Sequence, residues 1–286
     1  MGAREEEQRV NEAQWFGRLG MVSRLMMGLL LLGLGACGGS VARPDDGWWE
    51  AAEVVAQVEE RLEQVADLRI VAKVDYRDLE RRERVVGRDV VISAKAPSLL
   101  RVTLSSFDKA LATLVTDGNL FQLLDVQQNT YFHGPATPRN LGRLLPLNLS
   151  AGDFYRVLAG AFPVALLSAE WPREAVLGWN GKTGCYVLDL PREAGGRLLV
   201  ELEHPSLNIV EMRIVEAGKV VYVYKARDFV ARGGAQLPQR VRFEIGDDEI
   251  DVTLRVERVD VNVDPKAQVF SLPPPPGIEQ IHVVED

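Results

Sequence analysis

Residues 240–257, RVRFEIGDDEIDVTLRVE, decide the fold of this chain. Apolar side chains occupy every second position on both sides of the central turn, and mostly charged side chains lie between them. A period of two places alternate residues on opposite faces of a β-strand. The stretch therefore predicts an antiparallel hairpin with one apolar face and one wet face. The apolar set is Val241, Phe243, Ile245, Ile250, Val252, Leu254 and Val256, and the turn is Gly246, Asp247 and Asp248.

The same strand-like texture covers most of the chain. It returns over residues 183–258, and Asp117, Gly118 and Asn119 form a tight-turn signal between two earlier strands. Strands follow one another without alternating helices, so consecutive antiparallel pairing is expected. We predict a mainly β (α+β) fold with a single large curved antiparallel sheet, a half-barrel of about eleven strands. The candidate strands in the first half are 68–76, 84–94, 99–105, 110–116 and 120–124.

Helical patterns interrupt this texture at three places. Apolar residues recur every three or four positions over residues 48–65, which predicts an amphipathic N-terminal helix. Thr137 followed by Pro138, and Ser150 followed by Asp153, predict the starts of two short helices. We expect these two helices to cover the concave face of the sheet. The proline-rich tail, 270–277, should run extended along an edge.

The N-terminal region resembles a bacterial lipoprotein precursor. Leu34, Gly35, Ala36 and Cys37 close an apolar run of about ten residues, which is too short to span a bilayer and matches a signal peptide. The alternative is a buried core helix beside an unrelated cysteine. We predict a signal region over 1–36, with translation beginning at Met21, then a flexible tether over 37–47 and one domain over 48–286. Cys37 would carry a diacylglycerol.

Composition excludes several classes of function. The net charge is −8, and the mature chain would keep that value, so a nucleic-acid partner is not expected. Cys185 lies in a strand-like run and has no intramolecular partner once Cys37 is lipidated, which favours a small buried apolar role over a reactive thiol.

The sequence offers little for catalysis or for metal binding. His133, His204 and His282 are scattered and lack metal-ligand spacing. Ser105 and Ser106 with His133 are the remaining nucleophile and base candidates, and nothing in the sequence places them together. We therefore predict a protein without enzymatic activity, catalytic residues, metal or cofactor.

Two strands of the first half carry apolar bulk on both faces. Leu111 and Val115 oppose Leu114 in one of them, and Leu120 and Leu124 oppose Phe121 and Leu123 in the next. One interpretation is a core packed on both sides of the sheet. The other is an acyl-chain cavity on the concave face, since sites for apolar ligands are concave and mostly hydrocarbon-lined. The candidate lining residues are Val102, Leu104, Leu114, Phe121, Leu144, Phe154, Leu158 and Phe162.

Phe107 stands alone among polar residues at a predicted strand-to-strand turn. An aromatic side chain in this position either folds back onto the sheet or meets a partner or a bilayer. Burial would stabilise it by roughly 1.5–3 kcal/mol. We therefore consider Phe107 a candidate membrane-insertion residue.

Several short phrases resemble the outer-membrane lipoprotein carriers and receptors of the bacterial Lol system, the LolA/LolB-like superfamily. They follow the leading helix and are LLRVTL at 99–104, LVTDGN at 114–119, YFHGP at 131–135 and VFSLP at 269–273. The resemblance implies a half-barrel lidded by helices that carries acyl chains in its hollow. It also implies, through Cys37 followed by Gly38, a receptor-like protein anchored at the periplasmic face of the outer membrane.

The expected partners are lipid or acylated lipoprotein cargo, and the expected role is lipoprotein localisation or lipid transfer. The alternative is a structural or assembly lipoprotein that docks an envelope protein partner without carrying lipid.

Overall fold

One sheet organises the protein, and all its strands but the last pair antiparallel with their neighbours. The computed structural model describes residues 40–48, 50–145, 147–246 and 249–284. Cys37, the signal region and the turn residues Asp247 and Asp248 lie outside the described residues. The helices are α1 Ala51–Glu63, α2 Pro138–Leu141, α3 Ala151–Leu158 and α4 Trp171–Glu174, with a 3-10 helix at Ala267–Phe270.

The sheet has 14 strands among the described residues, in the order β14-β6-β5-β4-β3-β2-β1-β13-β12-β11-β10-β9-β8-β7. Strand β1 pairs with both β2 and β13 and so joins the two halves of the chain. The strands are β1 Asp67–Asp78, β2 Glu83–Lys95, β3 Leu99–Ser106, β4 Lys109–Thr116, β5 Leu120–Asp125, β6 Thr130–Pro135, β7 Val176–Asn180, β8 Cys185–Pro191, β9 Arg197–Glu203, β10 Ile209–Glu216, β11 Lys219–Arg232, β12 Ala235–Ile245, β13 Ile250–Val261 and β14 Glu279–His282.

The single curved antiparallel sheet is confirmed, but the expected number of about eleven strands is too low. Strands β6, β7 and β14 account for the difference. Each is short, and β6 and β7 contain glycine, which weakens the strand signal in a sequence. Strand β14 is wholly exposed, so no buried face marks it by alternation.

The inner face of the sheet is a continuous apolar ladder. The register pairs Ile70 with Ile92, Ile92 with Val102, and Val102 with Leu114. The hairpin of residues 240–257 joins the same face, since Phe243 pairs with Val252 and both are buried. Burying each such side chain stabilises the fold by roughly 1.5–3 kcal/mol.

Two helices fill one end of this inner face. Helix α1 buries Val54 and Val58, and α3 buries Phe154 and Tyr155 in the same core. The Tyr155 hydroxyl donates to the Val65 carbonyl oxygen at the end of α1. The Ser150 hydroxyl accepts from the Asp153 N–H at 3.0 Å and caps α3, as its sequence predicts.

The ends of the strands define two rims. The upper rim carries the turns that follow β1, β3, β5 and β10, and the lower rim carries those that follow β2, β4, β7 and β9. The segment that precedes α1 is fastened at the lower rim. There the Trp48 N–H donates to the Tyr186 hydroxyl at 2.9 Å, and the Arg43 guanidinium lies 5.6 Å from the centre of the same ring.

The C-terminal residues form a strap across the outer face, which corrects the expected extended path along an edge. We call residues 267–284 the strap. Arg101 donates to the Val269 carbonyl at 3.1 Å, and the Tyr131 hydroxyl donates to the Leu272 carbonyl at 2.8 Å. The chain then adds β14 parallel to β6.

The strap explains the apolar bulk on the outer face of β4, because Arg101 and Gln122, the strand neighbours of Val115, both hydrogen-bond to it. Val115 points to the outer face of β4 and is only 1% exposed, while Leu114 is buried on the inner face. The interpretation of a core packed on both sides is therefore confirmed in this part of the sheet. Farther from the centre of the strap, Leu120 remains 60% exposed.

Candidate functional site

An apolar groove of about 250 Å³ lies on the inner face at its upper end. The sheet forms its floor, and the segment that follows α2 forms its roof together with Phe154 of α3. Both halves of the chain contribute, because β13 lies beside β1. The apolar floor residues are Val74, Val85, Val90, Ile92, Val102, Leu104, Phe243, Val252 and Leu254, and the roof residues are Gly142, Leu144, Leu145 and Leu147.

Local sequence signals place the roof. The Thr137 hydroxyl accepts from the Asn140 N–H at 3.2 Å, and Pro138 occupies the first turn of α2. Gly142 ends this short helix, and the chain then crosses the inner face towards α3. Leu144 and Leu145 remain half-buried there, because they face the groove rather than a closed core.

The inner face below the groove is filled by the protein itself. A void of about 20 Å³ lies there, lined by Ile70, Val157, Leu158 and neighbouring apolar residues. That volume corresponds to about one water molecule, and an apolar void of this size stays dry. The groove shares Phe243 and Leu254 with this void and opens in the other direction.

The structure brings together four of the eight predicted lining residues. Val102, Leu104, Leu144 and Phe154 line the groove. The other four lie elsewhere, because neighbouring side chains cover them. Leu158 lines the small void, Leu114 and Phe121 pack with Leu141 in a separate cluster, and Phe162 packs edge-on against Trp171 at 5.9 Å between ring centres.

The floor residues from the second half were missed at the sequence level. Phe243, Val252 and Leu254 belong to the apolar face of the hairpin that decides the fold, so their burial was predicted. Their place beside Val74 follows from the pairing of β1 with β13. Short-range sequence patterns do not predict which distant strands pair.

Charged residues stand only at the mouth of the groove, which we define as Arg81, Glu83 and Arg143. All three are exposed. Arg81 and Glu83 belong to the β1–β2 hairpin at the upper rim, and Arg143 belongs to the roof. The Arg143 guanidinium lies 4.9 Å from the centre of the Phe132 ring, a distance suited to a cation–π contact.

A buried carboxylate holds the hairpin beside the mouth. Asp78 is 3% exposed and accepts from the Arg81 N–H at 2.8 Å and from the Tyr76 hydroxyl at 3.0 Å. The backbone hydrogen bond from Arg81 lowers the pKa of Asp78. Burial and the Asp78 hydrogen bond raise the pKa of Tyr76 to about 12, so its hydroxyl stays protonated at neutral pH.

Phe107 projects from the upper rim. Its side chain is 91% exposed, so the alternative that it folds back onto the sheet is wrong. Phe107 and Asp108 both have positive φ, 47° and 63°, as the two central residues of a type I′ turn require. This conformation costs an ordinary residue roughly 1–2 kcal/mol. The turn therefore holds an exposed aromatic in a strained conformation.

The structure does not assemble the candidate nucleophile and base. Ser105 and Ser106 belong to β3 and His133 to β6, which is three strands away in the sheet. The nearest imidazole to His133 is that of His282, with 3.3 Å between their Nδ1 atoms. Cys185 is buried as predicted, and burial raises the pKa of its thiol. Among the described residues, no cluster of three or more His, Cys, Asp or Glu has a geometry for metal binding.

None of the helices in the described part of the chain is both long enough and apolar enough to cross a bilayer. No protein-family model and no curated protein matches the sequence. The comparisons with solved structures are therefore the ones that inform the fold.

Many solved structures share this fold, among them the following three. A DUF1329 family protein from Desulfovibrio piger has a TM-score of 0.56 at 8% identity, over 77% of this chain and 95% of that one. A putative outer membrane lipoprotein-sorting protein domain from Vibrio parahaemolyticus has a TM-score of 0.52 at 10% identity, over 77% and 97%. A LolA superfamily protein from Nitrosomonas europaea has a TM-score of 0.52 at 11% identity, over 76% and 97%. The resemblance to the LolA/LolB-like superfamily is thus confirmed at the level of the fold.

Proposed function

We propose that this protein is a lipoprotein, anchored by a diacylglycerol on Cys37 to the periplasmic face of the outer membrane, that holds acyl chains in its groove and passes them on. The groove of about 250 Å³ is the observation that carries the proposal. Its walls are apolar and its charged residues stand only at the mouth, which suits a ligand with a hydrocarbon tail. The sequence at Leu34–Cys37 supports the anchor. The putative outer membrane lipoprotein-sorting protein domain from Vibrio parahaemolyticus, which has the same fold at 10% identity, also supports the proposal.

Transfer through such a groove needs no cofactor, since an acyl chain moves from one hydrocarbon environment to another. Exposure to water would cost about 0.8 kcal/mol per methylene, on the order of 12 kcal/mol for a chain of about 16 carbons. Release into solution is therefore slow, and the mouth must meet the donor or acceptor directly. Phe107 lies on the same rim as the mouth and is the residue that we expect to make this contact.

The proposal is tested by titrating a fluorescent acyl probe into the purified protein. We expect saturable binding, and we expect lipid to co-purify with protein taken from membranes and to be identified by mass spectrometry. Leu104→Glu places a carboxylate in the groove and should weaken probe binding at least about tenfold.

Leu120→Glu is the matched control, because Leu120 is exposed at the lower rim and does not line the groove. Circular dichroism should show both variants folded. Equal probe binding by the two variants, or no binding by the parent protein, would contradict an acyl groove.

A second candidate is a scaffold that docks an envelope protein and carries no lipid. The filling of the lower inner face favours it, since Phe162 and Tyr186 there are fully buried by the protein's own residues. Cross-linking in cells followed by purification separates the two candidates. A stoichiometric protein partner together with an empty groove would favour the scaffold.

A further inference from the structure

We propose that the ligand of the groove is an amphiphile with a single acyl chain and an anionic headgroup, and that Arg81 and Arg143 hold the headgroup at the mouth. The inference rests on the proposed function, because it requires an acyl chain in the groove. It goes further by naming the class of ligand and the residues that select it.

The size of the groove limits the number of chains. Sites for drug-sized ligands have volumes of roughly 300–1,000 Å³. At about 250 Å³ the groove is slightly smaller than this range. The inner face below it is packed, with the 20 Å³ void as the space that borders it. The groove therefore has room for one chain at most, and two or three side by side would require the roof and α3 to move away from the sheet.

The two arginines belong to opposite walls of the groove. Arg81 comes from the hairpin that ends the floor, and Arg143 comes from the roof. A guanidinium presents a planar fork of donors that matches carboxylate and phosphate oxygens. A headgroup at the end of a chain lying along the groove would therefore meet one guanidinium on each side.

Arg81 keeps most of its hydrogen-bonding capacity for a ligand. Its side chain is 72% exposed, and its ion pair with Asp78 spans 3.7 Å, which is longer than a hydrogen bond. Asp78 already accepts from the Arg81 backbone and from Tyr76, so its carboxylate anchors the turn. The Arg81 position is thus set by the backbone while its guanidinium reaches into solvent.

The charges at the mouth favour an anion over a cation. Two exposed guanidinium groups and one exposed carboxylate, that of Glu83, line the opening, whereas the nearby Asp78 carboxylate is buried and already accepts two hydrogen bonds. Arg143 is also held in place by the face of the Phe132 ring at 4.9 Å. A cationic headgroup would meet two like charges, and a neutral one would leave the donors to water.

Displacement of a bound fluorescent acyl probe tests the headgroup. The competitors are hexadecyl phosphate, palmitate, monopalmitoylglycerol and hexadecyltrimethylammonium, each below its micelle concentration. We expect the two anions to bind at least about tenfold more tightly than the neutral glycerol ester, with a smaller difference at high salt. Inorganic phosphate alone should not displace the probe, since the chain supplies most of the affinity.

The variant Arg81→Gln/Arg143→Gln should lose the preference for anions, so that it binds hexadecyl phosphate and monopalmitoylglycerol with similar affinity. Arg82→Gln is the matched control, since Arg82 is in the same turn and does not line the groove. Equal binding of anionic and neutral competitors, or tighter binding of the cation, would overturn the headgroup assignment. Acyl-chain binding in the groove would remain supported. Displacement by none of the chains would instead overturn the proposed function itself.

The number of chains is tested with dipalmitoyl phosphatidic acid against hexadecyl phosphate at equal headgroup charge. We expect the two-chain lipid to bind at least about tenfold more weakly. Equal or tighter binding of the two-chain lipid would overturn the single-chain assignment.

Discussion

At the scale of single residues, Phe107 combines two costs that folding alone does not explain. An aromatic side chain that is 91% exposed gains nothing from burial, and its φ of 47° is unfavourable for any residue with a branched or bulky side chain. Strained residues of this kind concentrate at functional sites. The proposed contact with a membrane or another apolar surface gives this residue a reason to be there.

Phe107→Asp should slow the transfer of an acyl probe from the protein to liposomes several-fold, because a carboxylate at the rim does not enter an apolar surface. Binding of the probe at equilibrium should not change, since Phe107 does not line the groove. Stopped-flow fluorescence measures the transfer rate, and an unchanged rate would remove Phe107 from the mechanism.

Phe107→Asn should stabilise the folded protein by about 0.5–1 kcal/mol, because asparagine tolerates positive φ better than phenylalanine. Urea denaturation measures this difference in the free energy of unfolding. A loss of stability would mean that the phenyl ring makes a contact that its exposure does not reveal.

Tyr155 shows how one polar group joins two elements. Its hydroxyl donates to the Val65 carbonyl in the buried core where α1 meets α3. Tyr155→Phe leaves that carbonyl without this donor and should lower the free energy of unfolding by about 1–3 kcal/mol. Denaturant unfolding of the variant gives the value, and a change below about 0.5 kcal/mol would show that water replaces the hydroxyl.

At the scale of elements, carboxylates that accept backbone N–H groups hold two of the turns. Asp78 accepts in the β1–β2 turn, and Asp117 accepts from Asn119 and Leu120 at 2.8 Å each in the β4–β5 turn. These hydrogen bonds lower the pKa of both carboxylates from 3.8. The charged form of each carboxylate is therefore more stable in the folded state than in the unfolded chain.

The contribution of these two carboxylates to the free energy of unfolding should accordingly be largest above about pH 4. It should fall as the pH drops through their lower pKa values in the folded state. Asp117→Asn should flatten part of this dependence, because its amide does not titrate. Urea titrations between pH 2 and 6 measure the effect, with Asp108→Asn as the control in the β3–β4 turn. Parallel curves for parent and Asp117→Asn would exclude this turn as a source.

The strap is the element whose position differs most from the position that the sequence predicted. It buries Val115 from the outer side and adds the terminal strand of the sheet. Deleting residues 267–286 should lower the free energy of unfolding by several kcal/mol and should promote association through the uncovered edge of β6. Sedimentation and denaturant unfolding check both effects. A monomeric deletion variant of unchanged stability would show that the strap is dispensable.

At the scale of the whole molecule, short-range signals predicted most of the fold. The alternation over residues 240–257 and the caps at Thr137 and Ser150 all appear in the structure where they were expected. Helix α1 is shorter than residues 48–65, because its regular turns end at Glu63. Short-range patterns do not reveal which distant strands become neighbours, and β1 and β13 are about 190 residues apart along the chain.

The same limit applies to the groove. The lining residues close to the predicted helices, Leu144 and Phe154, were identified, while those on β12 and β13 were not. Leu114 and Phe162 were assigned to the groove by their apolar character, but the space above each is filled by the protein itself. Apolar character predicts burial in general and does not distinguish a cavity wall from a packed core.

Anchoring and acyl binding should be separable. Residues from Ala42 onward form one compact unit, so we expect the groove to form without the proposed lipid at Cys37. Cys37→Ser should abolish fractionation with membranes and leave the affinity for an acyl probe within about twofold of the parent protein. Phase partitioning in detergent and a probe titration measure the two properties. Loss of probe binding would instead tie the groove to the modification.

Trp48 and Arg43 fasten the segment before α1 to Tyr186 at the lower rim, which would limit the reach of the proposed anchor. If Cys37 carries the proposed lipid, the six residues 37–42 connect it to this segment, and a fully extended chain of that length spans about 20 Å. Strand β1 alone has 12 residues, about 40 Å of rise. With the proposed anchor, we therefore expect the upper rim and Phe107 to meet carriers that cross the periplasm rather than lipids of the anchoring leaflet.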